Sequence, residues 1–324
     1  MNMAKGPGKS HRKGISLLTM AKMFPDEAAA TKWFEGVMWQ GERCCGHCGS
    51  VRTTEASHAK MPYWCSDCRS YFSVRTGTIM ERSKIPLLKW AWAIYLNCTS
   101  LKGVAAMKLH RDIEVSYPTA WFMQHRIREA FAAEGPVVFA GPVEIDETYV
   151  GGSAKSMHAA QKKKLKEEHG SISASKAMVV GAKDRKTGKV VARVIDKGDS
   201  PMLHGFIESH TDPSATVFTD GASVYKFWFN HESVNHSAGE FVRGIVHTQG
   251  VESFWSMLKR AHKGVFHRMS AKHLQRYVDE FSGRHNIRDR DTIDQMRHVV
   301  AQMVGKRLKY RDLIAETGES SVAT

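Results

Sequence analysis

The stretch Val143-Glu144-Ile145-Asp146-Glu147-Thr148-Tyr149-Val150-Gly151-Gly152 decides how the rest of this chain is read. Its β-branched and aromatic residues favour a strand, and the paired glycines end it. Side-chain alternation puts Val143 and Ile145 on one face and Glu144 and Asp146 on the other. Spacing alone does not choose between those two acids, and Glu147 is adjacent.

Working outward, residues 177–183 and 189–196 form two further strand patterns joined by the turn Arg185-Lys186-Thr187-Gly188. A helical pattern over 201–210 leads to a short strand, 216–219, that ends at Asp220-Gly221. A longer helix opens near Gly250 and carries Glu252 in its first turn. Between residues 152 and 177 lies a polar insertion with Lys162, Lys163, Lys164 and Lys166, most simply a solvated loop or helix. Strand, strand, strand, helix, strand, helix, with acids on the first strand, the fourth strand and a later helix, is the order of an RNase H-like fold. The expected class is α/β, a mixed sheet with flanking helices.

Three carboxylates gathered by such a fold can hold two divalent ions, which activate water and stabilise a leaving oxygen in phosphodiester chemistry. Two of the acids also have a plainer reading. Asp220 before a glycine can be a turn residue, and Glu252 can simply favour the helix macrodipole. Lys259, seven residues beyond Glu252, lies two turns on along the same face, where a cation can touch a phosphate. From Ser253 to Arg276 the chain carries Lys259, Arg260, Lys263, Arg268, Lys272 and Arg276 and no acid, a pattern suited to a DNA backbone. Phe254 and Trp255 suit core packing first and base stacking second.

Upstream, five of the six cysteines fall between positions 44 and 68. Cys45-Gly46-His47-Cys48 and Cys65-Ser66-Asp67-Cys68 are two Cys-x-x-Cys knuckles, and four thiolates so spaced complete a tetrahedral zinc site. Tyr63-Trp64 and Tyr71-Phe72-Ser73-Val74 read as flanking strands, Cys44 as a spare thiol and Cys98 as a small core residue. From Ile85 onward the periodicity turns helical, with Leu87, Trp90, Ala91, Ile94 and Tyr95 on one stripe. A shorter helix over 103–110 and a longer one capped by Ser116 outline a helix-turn-helix, with Arg126 and Arg128 as candidate DNA contacts. A small helical bundle linking two domains fits the same pattern.

The 324 residues carry 47 Lys+Arg against 33 Asp+Glu, a net +14 that favours a polyanion. No run approaches the roughly 20 apolar residues of a membrane span. The start, with Lys5, Lys9, Arg12 and Lys13, reads as a basic arm and lacks a secretory pattern. A cytoplasmic, nucleoid-associated protein is expected, in which cysteines serve metals rather than disulfides.

Taken in order, these motifs, with Phe72-Ser73-Val74-Arg75-Thr76-Gly77-Thr78, Thr119-Ala120-Trp121-Phe122-Met123 and Lys272-His273-Leu274-Gln275-Arg276-Tyr277, resemble the bacterial insertion-sequence DDE transposases with an N-terminal zinc ribbon, a group related to the Merlin superfamily. The resemblance covers roughly residues 30–290. It implies that Asp146, Asp220 and Glu252 are catalytic acids binding Mg²⁺ or Mn²⁺, with Gln249 or His247 as rivals or assistants at the third position. It also implies double-stranded DNA partners, namely terminal inverted repeats and a target, and a homodimer or larger assembly in the DNA complex. The expected layout is a basic arm and first helix (1–30), a zinc ribbon (31–80), a helix-turn-helix-like region (84–134), the catalytic domain (139–300) and a C-terminal helix with a flexible tail (301–324). A zinc-dependent DNA-binding regulator, or a nuclease that does not join strands, are the alternatives.

Overall fold

The computed structural model describes residues 12–132, 135, 137–151, 158–169, 176–196, 200–220, 228, 230–233 and 247–315. The expected basic arm before residue 12 and the tail beyond residue 315 lie outside them. The chain divides into two units, Met1–Phe131 with Ile287–Thr324, and Ala132–Asn286.

The first unit begins with α1 (Leu17–Met23) and α2 (Glu27–Trp39). Ser16 accepts from the Thr19 N–H and Asp26 from the Ala29 N–H, so each helix starts on a side-chain cap. A three-stranded antiparallel ribbon follows, β1 (Thr53–Glu55), β2 (Tyr63–Cys65) and β3 (Ser70–Phe72). Next come α3 (Leu87–Thr99), α4 (Ala106–Asp112) and α5 (Tyr117–Glu129). Pro86 has no side chain with which to cap α3. Glu27 does it instead, accepting from the N–H groups of Leu87 (2.7 Å) and Leu88 (2.9 Å). Ser116 caps α5, as its place in the sequence suggests, with Pro118 in the first turn.

The second unit is built on a five-stranded sheet of β4 (Val143–Val150), β5 (Ala177–Asp184), β6 (Val190–Ile195), β7 (Val217–Thr219) and β8 (His231–Ser233). Their spatial order is β6-β5-β4-β7-β8. β4, β5 and β6 pair antiparallel, whereas β4, β7 and β8 pair parallel, which is the mixed sheet expected. Helices α6 (Ala159–His169), α7 (Ser200–His210), α8 (Gln249–Ala261) and α9 (Ala271–Asn286) belong to this unit. Alternation along β4 and β5 separates two cores. Val143, Ile145, Val180 and Ala182 pack with Leu203, Phe206 and Ile207 of α7. Val150 and Val179 pack with Val251, Phe254, Trp255 and Leu258 of α8 and with Leu274, Val278 and Phe281 of α9. The exposed edge of β6 is covered by side chains of α9. Gln275 accepts from Val194 N–H and donates to Ala192 O, while Asn286 does the same for both backbone groups of Val190.

The sequence pattern carries the catalytic segment on to residue 300, but packing ends the unit at Asn286. α10 (Thr292–Ala301) lies against α2 and α3, and α11 (Tyr310–Ile314) follows it. Met296, Val299 and Val300 share one core with Phe34, Trp90 and Ile94. The strand pairing Thr78↔Val304 and the bond from Ile79 N–H to Met303 O tie the returning chain to the turn after β3. Because Met296 is 0% exposed, Met296→Ala should destabilise this unit by about 2–5 kcal/mol. Urea unfolding followed by tryptophan fluorescence measures it, and an unchanged midpoint would remove α10 from the first unit's core.

Candidate active site and metal centre

β4 positions the acids. Glu144 and Asp146 face α8, as alternation requires, yet their surroundings differ sharply. Glu144 is 2% exposed. Its Oε1 accepts from Arg185 Nε at 2.8 Å and its Oε2 from the Val251 N–H at 2.9 Å. Asp146 is half-buried, and its Oδ2 accepts from the indole N–H of Trp255 at 3.0 Å. Gly181 sits opposite Asp146 on β5. A Cβ at Gly181 would lie 2.6 Å from the Trp255 ring, so this glycine makes the space through which the indole reaches Asp146. Trp255 itself is 3% exposed, which puts it in the core.

Asp220 directly follows β7. The parallel register pairs Val143 with Val217 and Glu144 with Phe218, and Asp146 and Asp220 each come two residues after the second pair. Glu252 is exposed in the first turn of α8, where its Oε1 accepts from Thr248 Oγ1 at 2.8 Å. Burial, and then the negative fields of Glu147, Asp220 and Glu252, push Asp146 up to about 7. The expected acids therefore share one electrostatic environment. Among the described residues they are not drawn into a cluster as tight as that of the cysteines below. Acids bridging two ions about 3.5–4 Å apart span a wider site than a single tetrahedral centre. Of the rivals for the third position, His247 turns its Nδ1 to within 3.4 Å of Glu144 Oε1, and Gln249 is exposed.

Lys259 and Arg260 of α8 are exposed beyond Glu252, whereas Val251, Phe254, Trp255 and Leu258 are buried, and Lys263 is exposed in the turn that follows the helix. Arg260 Nε donates to Ser256 O at 3.1 Å, which lays its guanidinium along the helix. The α8 helix passes into a π-helical turn at His262–Phe266.

Arg126 and Arg128, the DNA contacts expected on α5, are packed side chains in this structure. Arg128 is 2% exposed. Arg126 lies over the Phe122 ring at 4.3 Å and donates to Glu81 O, and burial pushes its guanidinium down to about 10. Ala120, Met123 and Ile127 belong to the core of the first unit, so α5 is a packed helix whose exposed residues are Tyr117 and Pro118 at its start. Charge on a short helix does not reveal burial, and neither arginine presents the open guanidinium that groove reading needs.

The four knuckle cysteines converge. Their Sγ atoms lie within 4.8 Å of one another, Cys45 and Cys68 being 3.6 Å apart and Cys48 and Cys65 also 3.6 Å. A tetrahedral zinc–thiolate site has sulfurs about 3.8 Å apart, against about 2 Å in a disulfide, so the group fits zinc. The Cys68 backbone N–H holds the Cys65 thiol down to about 7, whereas burial pushes Cys45 up. A Cβ at Gly46 would lie 2.3 Å from Thr76 O, and Gly77 has φ +69. The first knuckle thus packs directly on the turn after β3, which is why glycine is required on both sides of the contact. Cys44 lies outside the cluster.

The model of the ISXO2-like transposase domain matches residues 138–286, nearly the whole of the second unit. A protein of Halobacterium salinarum (strain ATCC 700922 / JCM 11081 / NRC-1), described as an uncharacterized protein in transposable element ISH50, is 30% identical over 284 residues, covering 82% of this chain and 93% of the relative. No solved structure matches the chain.

Two outcomes follow from the site. Asp146 is held above its unfolded value, so its ionisation costs stability as pH rises from about 4 towards 7. Without added divalent metal, Asp146→Asn should melt about 2–5 °C higher than the parent chain near pH 8, with the gap closing near pH 4; a gap that does not depend on pH would contradict the shared field. Purified chain should carry about one zinc, and Cys68→Ser close to none, by atomic emission. Undiminished zinc in that variant would remove Cys68 from the cluster.

Proposed function

The chain belongs to the insertion-sequence transposases of the ISXO2-like family, and on that premise we propose that its second unit cleaves DNA at the ends of an insertion element and joins the freed 3′-hydroxyl to target DNA. The observation that supports the reading is that Asp146 and Asp220 each come two residues after the Glu144–Phe218 pair of β4 and β7, together with the fields of Asp220 and Glu252 at Asp146. Asp146, Asp220 and Glu252 would hold Mg²⁺ or Mn²⁺, oxygen ligands suiting both. Such ions, when bound, activate water and stabilise the attacking and leaving oxygens of an in-line displacement.

The chain's own residues do the rest. Trp255 orients Asp146, Thr248 orients Glu252, and Lys259 contacts the phosphate being attacked. Arg260 and Lys263 extend that positive face along the DNA backbone, where contacts give position rather than sequence. The four cysteines hold zinc and so stiffen the ribbon of the first unit, which recognises the terminal repeats. Exposed Lys108 and Arg111 on α4 and Tyr117 at the start of α5 are better placed for that task than Arg126 and Arg128. Family membership implies DNA binding, and among the described residues no helix is long and apolar enough to cross a membrane. The protein acts in the cytoplasm on nucleoid DNA, as a dimer or larger, since two ends are joined in one event.

Labelled element ends incubated with the full chain and Mg²⁺ or Mn²⁺ test this. Asp146→Asn, Asp220→Asn and Glu252→Gln should each lower cleavage and joining by at least about 10³-fold while end binding persists. Full cleavage by one variant would strike that acid from the site. No cleavage by the parent chain would favour a DNA-binding regulator, and cleavage without joined product a nuclease.

A further inference from the structure

Glu144 has no part in the chemistry just described, yet it is the most deeply buried acid on β4, at 2% exposure. A carboxylate there is tolerated only if it is neutralised and fully hydrogen-bonded. It meets both conditions at a single place, the start of α8. Arg185 Nε donates to Oε1 at 2.8 Å and the first-turn N–H of Val251 donates to Oε2 at 2.9 Å. Two basic side chains at and just after the end of β5 reach the backbone of the segment that opens α8. Arg185 Nη2 donates to His247 O, and Lys183 Nζ donates to Gly250 O at 3.0 Å. The Arg185 guanidinium is also stacked 4.1 Å over the Phe218 ring, so its position is fixed from β7.

Gly250 completes the fit. A Cβ at that position would lie 2.6 Å from Glu144 Oε2 and 2.9 Å from Lys183 Nζ. Any side chain at 250 would therefore displace the Glu144 carboxylate and the Lys183 ammonium from the helix start. We propose that Glu144, through Arg185, Lys183 and Gly250, is the positioning residue of the site, a latch that fixes the first turn of α8 and with it the carboxylate of Glu252. Both of its oxygens are spent on holding Arg185 and the Val251 N–H, and it is more deeply buried than Asp146, which suits an anchor. The latch rests on the reading of Glu252 as a metal-binding acid. Its logic is that one strand carries both the acid Asp146 and, two residues earlier, the anchor for the helix that bears Glu252. The spacing between those acids is then set by the register of β4 rather than by the long connection that precedes α8.

The test uses the full chain with Glu144→Gln and, as a variant that keeps every charge, Gly250→Ala. Hydrogen exchange of the amides at the start of α8 should quicken about tenfold or more in both, while the overall melting curve keeps its shape. Mn²⁺ binding, followed by electron paramagnetic resonance, should weaken about 10–100-fold, and the metal concentration that half-saturates cleavage should rise by a similar factor. End-DNA binding should be unchanged, and cleavage should recover at high Mn²⁺. Asp146→Asn, by contrast, should remain inactive at every metal concentration. Unchanged exchange at the α8 start in both variants overturns the latch. Glu144→Gln that is inactive at all metal concentrations, like Asp146→Asn, overturns it too, by making Glu144 a ligand. If the parent chain neither binds Mn²⁺ nor cleaves, the reading of the acids fails, and the exchange measurement still decides whether Glu144 holds the helix.

Discussion

A charged group in a buried layer has to be answered by other charges and dipoles, and in the second unit that demand is concentrated on Glu144. Its neighbours on the same face of the sheet solve an ordinary packing problem: Val179 and Val150 meet Val251, Trp255 and Phe254. Glu144 instead draws a guanidinium, an ammonium and a helix start to one spot, and each of these has a further obligation. Arg185 lies over Phe218, Lys183 reaches Gly250 O, and the Val251 N–H would otherwise be one of the orphan donors of α8. The cost of burying the carboxylate is offset only when β4, β5, β7 and α8 are all in place. That makes the carboxylate a test of correct assembly beside Asp146 and the start of α8.

The first unit meets a different constraint. Its ribbon is too small for a core of its own: only Cys45, Cys65 and Phe72 are fully buried there. Four cysteine sulfurs within 4.8 Å of one another fit a zinc ion, which would supply what apolar burial cannot. The close contact of Gly46 with Thr76 then joins the knuckle to the turn whose far end pairs with the returning chain at Val304. Metal site, turn and C-terminal return are thus one continuous set of contacts within that unit.

How much of this the sequence disclosed depended on range. Local signals were legible: the Ser116 cap, the Arg185-Lys186-Thr187-Gly188 hairpin and the cysteine spacing all act within a few residues. Alternation correctly put Glu144 and Asp146 on one face but could not separate them, because what distinguishes them lies 41 residues away at Arg185 and 107 away at Val251. β8 escaped notice because His231-Glu232-Ser233 carries no β-pattern and joins the sheet only through its neighbour β7. The return of α10 to the first unit was invisible for the same reason, since its apolar stripe fits either core. Arg126 and Arg128 misled in the opposite sense: a positive charge suggested solvent and DNA, while Met123 and Ile127 on the same helix were already committing it to the core.

That contrast bears on the third acid, where the sequence left Glu252, Gln249 and His247 in competition. Geometry separates their roles without excluding a contribution from any of them. His247 turns to Glu144 and belongs with the anchor, Thr248 donates to Glu252, and Gln249 is left exposed at the helix start. Residues 247–252 therefore alternate between holding the helix and presenting a carboxylate. A segment built this way can exchange the acid it presents for a neighbour only if the anchor is kept, because losing the anchor moves every ligand on the helix at once.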